Sequence, residues 1–273
     1  MPRHPLPRLI VLLALLTGGQ VLAFELQGEA VQGGLIFGQA APGSTVILDD
    51  RELLVSSEGR FLFGFGRDDT GSVSLEVREP DQAPVRRSLE IAPREYNIER
   101  VDGLPPATVT PPPEVLERTR REAALVAQAR TRRDNRTDWA DGFTWPAQGR
   151  LSGFYGSQRI LNGEPRRPHF GVDVAAPTGT PVLAPAPGIV TLAEPDLYFS
   201  GGTLIIDHGQ GLTSTFLHLS AVSVPVGEFV TTGDKIGEIG ATGRASGPHL
   251  DWRMNWYNKR VDPQPLAGEM PSE

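Results

Sequence analysis

The chain has 273 residues, of which 39% are hydrophobic, and its 26 basic and 33 acidic side chains give a formal net charge of −7 at pH 7. This composition provides for hydrophobic cores and excludes a disordered chain, while the acidic balance argues against a nucleic-acid-binding scaffold. Cysteine is absent, which excludes disulfides and thiolate ligands, so any metal must be held by His, Asp or Glu.

Residues 1–23 have the pattern of a secretory signal peptide. Two arginines precede an apolar stretch, Leu9–Leu16, and Val21-Leu22-Ala23 resembles a cleavage site. A membrane anchor is the alternative, but the apolar stretch is shorter than the roughly 20 residues that span a bilayer. We therefore expect an exported chain, periplasmic or secreted, that is free of the membrane after cleavage.

Residues 24–97 alternate apolar and polar side chains between turn clusters, which predicts an immunoglobulin-like β-sandwich. This segment contains no histidine, so we interpret it as an accessory domain, with a prodomain or a spacer as the alternatives. Residues 98–138 are predicted to form a Pro-rich linker and then a charged helix from Glu114 to about Arg136, a stretch without Gly or Pro. The arginines near its end suit a solvated helix end or contact with an anionic polymer.

From Trp139 the sequence becomes rich in Gly and in short apolar runs, which predicts an antiparallel β domain over residues 139–265, followed by a tail at 266–273. The fold class is therefore mainly β. Asp207-His208-Gly209-Gln210-Gly211 separates two apolar runs and predicts a hairpin loop. We expect His208 in this loop to be structural, and Trp252 and Trp256 to belong to the core.

Two histidines of this domain have a carboxylate at short spacing. His169 and Asp173 are four residues apart, about 13 Å in a straight strand, so a shared metal requires a bend between them, and Gly171 lies at the middle of the gap. His249 and Asp251 are two residues apart, and a strand places both side chains on one face. Each pair alone is a weak signal.

The surrounding sequence is more specific. The runs PHFGVDVAAPTGTPVLAPAPGIV, GGTLIIDHGQGLTSTFLHLS and GDKIGEIGATGRASGPHLDW resemble the LytM/lysostaphin-type zinc endopeptidases of bacterial cell walls over about residues 150–255. The resemblance implies that His169 and Asp173 bind the metal, as the HxxxD pair does in that family. It also implies that His218 and His249 assist catalysis.

Asp251 occupies the third ligand position, where the family pattern has the last His of an HxH motif. A carboxylate oxygen binds zinc at a distance similar to an imidazole nitrogen, but it adds a negative charge. We therefore expect either a weaker Lewis acid than the usual zinc site or a site suited to Mn²⁺ or Fe²⁺. We expect Asp251→His to hold zinc at least as well as the wild-type sequence does.

Two further residues are candidates for substrate binding. Tyr155 and Arg159 lie in a Gly-rich approach that matches the family's entry strand. Tyr155 suits either a position lining the groove or that of an ordinary sheet aromatic.

The sequence thus predicts a metal-dependent endopeptidase that hydrolyses the peptide cross-links of peptidoglycan, with zinc as cofactor. The alternative is a non-catalytic regulator that has lost its metal and activates a wall amidase. A wall-binding structural module is a third interpretation. Metal content and the convergence of His169, Asp173 and Asp251 discriminate between the first two.

Overall fold

The computed structural model describes residues 24–101 and 113–271. The predicted signal peptide at 1–23 and nearly all of the Pro-rich linker lie outside the described residues. Among the described helices, none is long and apolar enough to cross a bilayer.

The N-terminal segment folds into two antiparallel sheets. Its strands are β1 (Phe24–Gln27), β2 (Leu35–Ala40), β3 (Thr45–Leu48), β4 (Arg51–Glu52), β5 (Arg60–Gly64), β6 (Ser72–Arg78) and β7 (Val85–Glu90). One sheet has the order β1-β2-β5 and the other the order β4-β3-β6-β7. Phe61 and Phe63 of one sheet and Val46 and Leu75 of the other are buried in one continuous core. The predicted antiparallel strands are present, and their immunoglobulin-like character stays a prediction.

The connection between the two halves contains a strand and a helix, β8 (Ile98–Val101) and α1 (Pro113–Ala129). The prediction that the helix continues to about Arg136 is wrong, because the chain beyond Ala129 makes tertiary contacts instead. The guanidinium of Arg136 binds the carboxylates of Asp138 and Asp207, and the carbonyl of Asp134 accepts a hydrogen bond from the Gln210 amide at 3.0 Å. These bonds hold residues 130–136 against the 207–211 loop and replace the helical hydrogen bonds.

The C-terminal half consists mainly of one large antiparallel sheet. Its strands are β9 (Arg150–Gly153), β12 (Val172–Ala175), β13 (Pro181–Leu183), β14 (Gly188–Leu197), β15 (Gly201–Asp207), β16 (Leu212–Val222), β17 (Phe229–Val230), β18 (Lys235–Ile239), β19 (Leu250–Trp256) and β20 (Lys259–Val261), and α2 (Gln264–Ala267) follows. The main path is β17-β14-β15-β16-β19-β12-β9. A small separate sheet joins β8, β10 (Gln158–Leu161) and β11 (Glu164–Pro165). The mainly-β prediction is confirmed, as is the hairpin loop between β15 and β16.

The two faces of this sheet differ in polarity. Phe216 of β16 and Trp252 of β19 are cross-strand partners and fully buried, in agreement with the predicted core role of Trp252. Because side chains alternate along a strand, the neighbouring Asp251 and Arg253 point to the opposite face. The core packing of one face therefore fixes the polar groups of the other.

Candidate metal centre

The three predicted metal ligands converge on one point of the polar face. Strands β12 and β19 pair antiparallel, and their register sets Asp173 directly opposite Asp251. His169 lies in the loop that leads into β12, where its backbone pairs with Ser157 and Gly156. One ligand atom from each of His169, Asp173 and Asp251 lies within 4.8 Å of the other two.

The atoms at this point fit a bound cation. His169 Nε2 and Asp173 Oδ1 are 3.1 Å apart, yet both are buried and neither has a hydrogen-bond partner among the described residues. When two ligand atoms each lie about 2.0–2.2 Å from one tetrahedral zinc ion, the distance between them is similar to the distance observed between His169 Nε2 and Asp173 Oδ1. One nitrogen and two carboxylate oxygens are a suitable donor set for Zn²⁺ or Mn²⁺.

Two glycines make room for the carboxylates. The chain bends at Gly171, as the His169–Asp173 spacing requires, and a Cβ there would lie 2.6 Å from Asp251 Oδ1 and 2.5 Å from the Trp252 carbonyl oxygen. A Cβ on Gly153 of β9 would lie 2.1 Å from Asp173 Oδ2. Both positions are therefore glycine because the ligands approach the backbone closely.

Charge around the centre is balanced by an arginine. Arg253 Nε donates to Asp251 Oδ1 at 2.9 Å and to Oδ2 at 3.0 Å, and Nη2 also donates to Oδ2. Asp251 is only 2% exposed, and burial alone would raise its pKa, but the guanidinium outweighs this and lowers it. Burial likewise opposes the charged form of His169, but Asp173 and Asp251 outweigh it and raise its pKa.

His218 is held in an unusual backbone conformation at a β-bulge. Its φ is +65°, and the register between β15 and β16 shifts beside it. Its ring Nδ1 faces the Thr242 carbonyl at 2.8 Å, and burial lowers its pKa. Bulges and left-handed non-glycine residues cluster near active sites, where they redirect a side chain.

His249 completes a pair of imidazoles beside the ligands. Its ring centroid lies 4.8 Å from that of His218, and its Nε2 lies 4.0 Å from Asp173 Oδ1. Its Nδ1 faces the Gly247 carbonyl at 2.8 Å. A carbonyl oxygen only accepts a hydrogen bond, so Nδ1 is the donor in both residues, and in His218, whose pKa is lowered by burial, Nε2 is left as the unprotonated nitrogen of a neutral ring.

The remaining histidine of this domain is structural in its contacts. His208 is fully buried, with Nδ1 2.6 Å from the Pro187 carbonyl and Nε2 2.9 Å from Ser214 Oγ. Burial lowers the pKa of His208 to about 4, so the ring is neutral. These contacts close the hairpin loop from inside.

The two predicted substrate-binding residues have different positions. Tyr155 is 3% exposed, its ring packs on Tyr96 and Phe170, and its hydroxyl donates to the Arg260 carbonyl at 2.7 Å. It is an ordinary buried aromatic and does not line the cleft. Arg159 does line the cleft, where its Nε donates to Glu99 at 2.7 Å.

The cleft over the centre has a volume of about 950 Å³. Its wall includes His169, Asp173 and His249, together with Arg253 and other arginines. A polypeptide segment fits a cleft of this size. The fold and this site together define a β-sheet protein whose His/Asp/Asp cluster could hold one metal ion beside paired imidazoles, which is the arrangement of a metal-dependent hydrolase.

The comparisons agree with this class. The family model described as Peptidase family M23 matches residues 167–263. A solved structure titled putative peptidase M23, from Pseudomonas aeruginosa, superposes with a TM-score of 0.67 at 31% identity and covers 88% of this chain and 96% of that one. The chain belongs to peptidase family M23.

Curated relatives match part of the chain. The chain is 34% identical over 125 residues to the peptidoglycan DD-endopeptidase ShyA of Vibrio cholerae, covering 41% of this chain and 29% of that protein. It is 41% identical over 101 residues to the DD-carboxypeptidase/endopeptidase Mpg of Neisseria meningitidis, covering 37% of this chain and 23% of that protein. The matched regions thus span less than a third of either relative.

Sequence reasoning missed Arg253. The signal was available, because Arg253 follows Asp251 by two residues in a predicted strand and therefore shares its face. An acidic residue at a ligand position and a basic residue two positions later form a recognisable pair once the strand is assigned.

Proposed function

We propose that the chain is a zinc-dependent endopeptidase that hydrolyses peptide cross-links of peptidoglycan. The observation that carries the proposal is the convergence of His169, Asp173 and Asp251 beside two further imidazoles at the floor of an open cleft. Membership of family M23 and the names of the curated relatives support the substrate.

The residues of the chain have separable roles in this reaction. His169, Asp173 and Asp251 would hold the ion, which when bound supplies Lewis acidity toward water and the scissile carbonyl. His218, neutral because burial lowers its pKa, presents an unprotonated Nε2 that accepts a proton from the attacking water. His249, on the other side of the pair, has its Nδ1–H bonded to the Gly247 carbonyl, so Nε2 is the ring nitrogen that faces the ligands and, when it carries a proton, can donate to the developing oxyanion or to the leaving amine.

The amidase-activating regulator requires a lost metal site, and the complete ligand set is not what that alternative predicts. Export, with residues 1–23 as the signal peptide, is part of the proposal because peptidoglycan lies outside the cytoplasm.

The test is metal content together with cleavage of a defined substrate. Purified protein is expected to hold one zinc ion per chain and to release monomers from cross-linked muropeptide dimers. Asp173→Ala should lose both properties, since it removes a ligand. Asp141→Ala, which removes an exposed carboxylate far from the ligands in the sequence, is the matched control and should retain both.

Wild-type protein without stoichiometric metal that stimulates a wall amidase would contradict the proposal. Full cleavage by Asp173→Ala would contradict the assignment of the centre.

A further inference from the structure

The cleft carries a charge opposite to that of the chain. Six arginines line it, and its acidic members are Glu99 and Asp173; the arginines are Arg150, Arg159, Arg166, Arg167, Arg244 and Arg253. The whole sequence has a net charge of −7. This concentration of positive charge around the catalytic centre therefore does not follow from composition.

Two of these arginines have carboxylate partners within the protein. Arg159 pairs with Glu99 and Arg253 pairs with Asp251. The other four, Arg150, Arg166, Arg167 and Arg244, form no ion pair with any described residue. Elsewhere in the described chain, arginines occur both with and without an ion pair, and Arg136 with Asp207 is an example of a paired one.

The unpaired arginines lie on different walls. Arg150 belongs to β9, Arg166 and Arg167 belong to the loop that leads to His169, and Arg244 belongs to the loop before β19. Arg166 is half-buried, and its Nε is shielded from solvent without a hydrogen-bond partner among the described residues. The terminal guanidinium nitrogens of Arg166 donate to no described residue, so they are available to an acceptor that enters the cleft.

We propose that these four arginines select a peptide substrate with free carboxylates close to the scissile bond. This inference rests on the proposed function and narrows its substrate class to anionic cross-link peptides. Guanidinium groups bind carboxylates through paired N–H donors, and a cleft of one sign concentrates ligands of the other. Neutral peptides, including those with amidated side carboxylates, gain no charge-assisted hydrogen bond from these groups.

The experiment compares one substrate in two charge states. Muropeptide dimers with free carboxylates are assayed beside the same dimers after carbodiimide-mediated amidation with ammonia. The wild-type protein should cleave the free-carboxylate form with a KM at least tenfold lower, and this preference should shrink as ionic strength rises.

Single Arg→Gln variants locate the preference. Arg166→Gln is expected to raise KM for the free-carboxylate dimer about tenfold, in the range for a hydrogen bond to a charged group, with kcat within twofold. It should leave KM for the amidated dimer unchanged. Arg120→Gln on the exposed face of α1 removes the same charge outside the cleft and should change neither constant.

The outcomes separate the two levels of the proposal. If neither dimer is cleaved by zinc-loaded wild-type protein, the proposed function fails. If both dimers are cleaved with equal KM, or if Arg166→Gln and Arg120→Gln behave alike, the enzyme stands and the carboxylate selection is refuted.

Discussion

Asp251 and Arg253 form a buried ion pair, so exchanging the aspartate alone should be harmful even though it restores the usual ligand type. In Asp251→His the guanidinium of Arg253, whose side chain is 24% exposed, loses the carboxylate that accepts its Nε and Nη2 hydrogen bonds. Leaving one member of a buried pair uncompensated costs about 3–5 kcal/mol. The expectation based on ligands alone, that His at 251 holds zinc at least as well, therefore holds only if Arg253 is changed too.

The double variant Asp251→His/Arg253→Gln should recover most of this loss, because it removes both charges. In a domain of this size, each kcal/mol shifts Tm by roughly 2–4 °C, so the single variant should melt about 6–20 °C below the wild type and the double variant within a few degrees of it. Thermal unfolding of the four proteins of the cycle, without metal, measures the coupling. Zinc titration should then show that the double variant binds at least as tightly as the wild type.

A matched cycle on an exposed pair serves as the control. Lys235 and Glu238 are bonded at 2.7 Å with side chains 48% and 33% exposed, so their coupling should stay below about 1 kcal/mol. If the Tm shifts of Asp251→His and Arg253→Gln simply add in the double variant, the coupling between the two positions is as small as that of the exposed pair. This result would refute the argument that Asp251 and Arg253 are energetically coupled.

Three other results are expected. Gly153→Ala should lower zinc affinity roughly 10–100-fold, because its methyl would lie 2.1 Å from Asp173 Oδ2, whereas Gly247→Ala, with no atom within 4 Å, should bind as the wild type does in a chelator competition. Tyr155→Phe should lose about 1 kcal/mol of stability, because it removes the hydroxyl hydrogen bond, and it should keep its kcat. A large fall in kcat would mean that Tyr155 takes part in catalysis. His208 has a pKa of about 4 in the folded protein, so below pH 6.5 its imidazole is protonated in the unfolded chain but stays neutral in the folded chain. The free energy of unfolding should therefore decrease by about 1.4 kcal/mol for each unit that the pH is lowered from 6.5 to 4. The raised pKa of Asp207 changes stability in the opposite direction over this pH range, but this effect is common to the wild type and His208→Gln. The difference between the urea midpoints of the two proteins should therefore follow the slope expected for His208. Parallel pH profiles of the two proteins would contradict the assignment.

Local patterns in the sequence were sufficient for much of the site. The four-residue gap between His169 and Asp173 requires a bend, and the chain bends at Gly171. The two-residue gap between His249 and Asp251 places both on one side of β19. The hairpin loop at 207–211 and the structural role of His208 also follow from short-range information, since turn residues and alternation act within a few positions.

The features that the sequence did not predict depend on strand pairing and tertiary contacts between distant parts of the chain. Asp173 and Asp251 are opposite each other only because β12 and β19 pair in that register, and no local pattern specifies it. The end of α1 at Ala129 depends on the 207–211 loop, which competes for Asp134 and Arg136. Tyr155 was ambiguous for the same reason, because its burial depends on contacts with Tyr96 in the other half of the chain.

The aspartate at position 251, where the family pattern has histidine, is interpreted differently once the charge of Arg253 is included. One imidazole, two carboxylates and a divalent ion sum to zero, which is why the ligands alone predict a weaker Lewis acid than a centre with two imidazoles and one carboxylate. The guanidinium bonded to Asp251 adds one positive charge and restores the sum of the usual set. A carboxylate with its arginine thus substitutes for a neutral imidazole in both ligand count and net charge, so the exchange is compatible with a working centre and is not by itself a mark of degeneration.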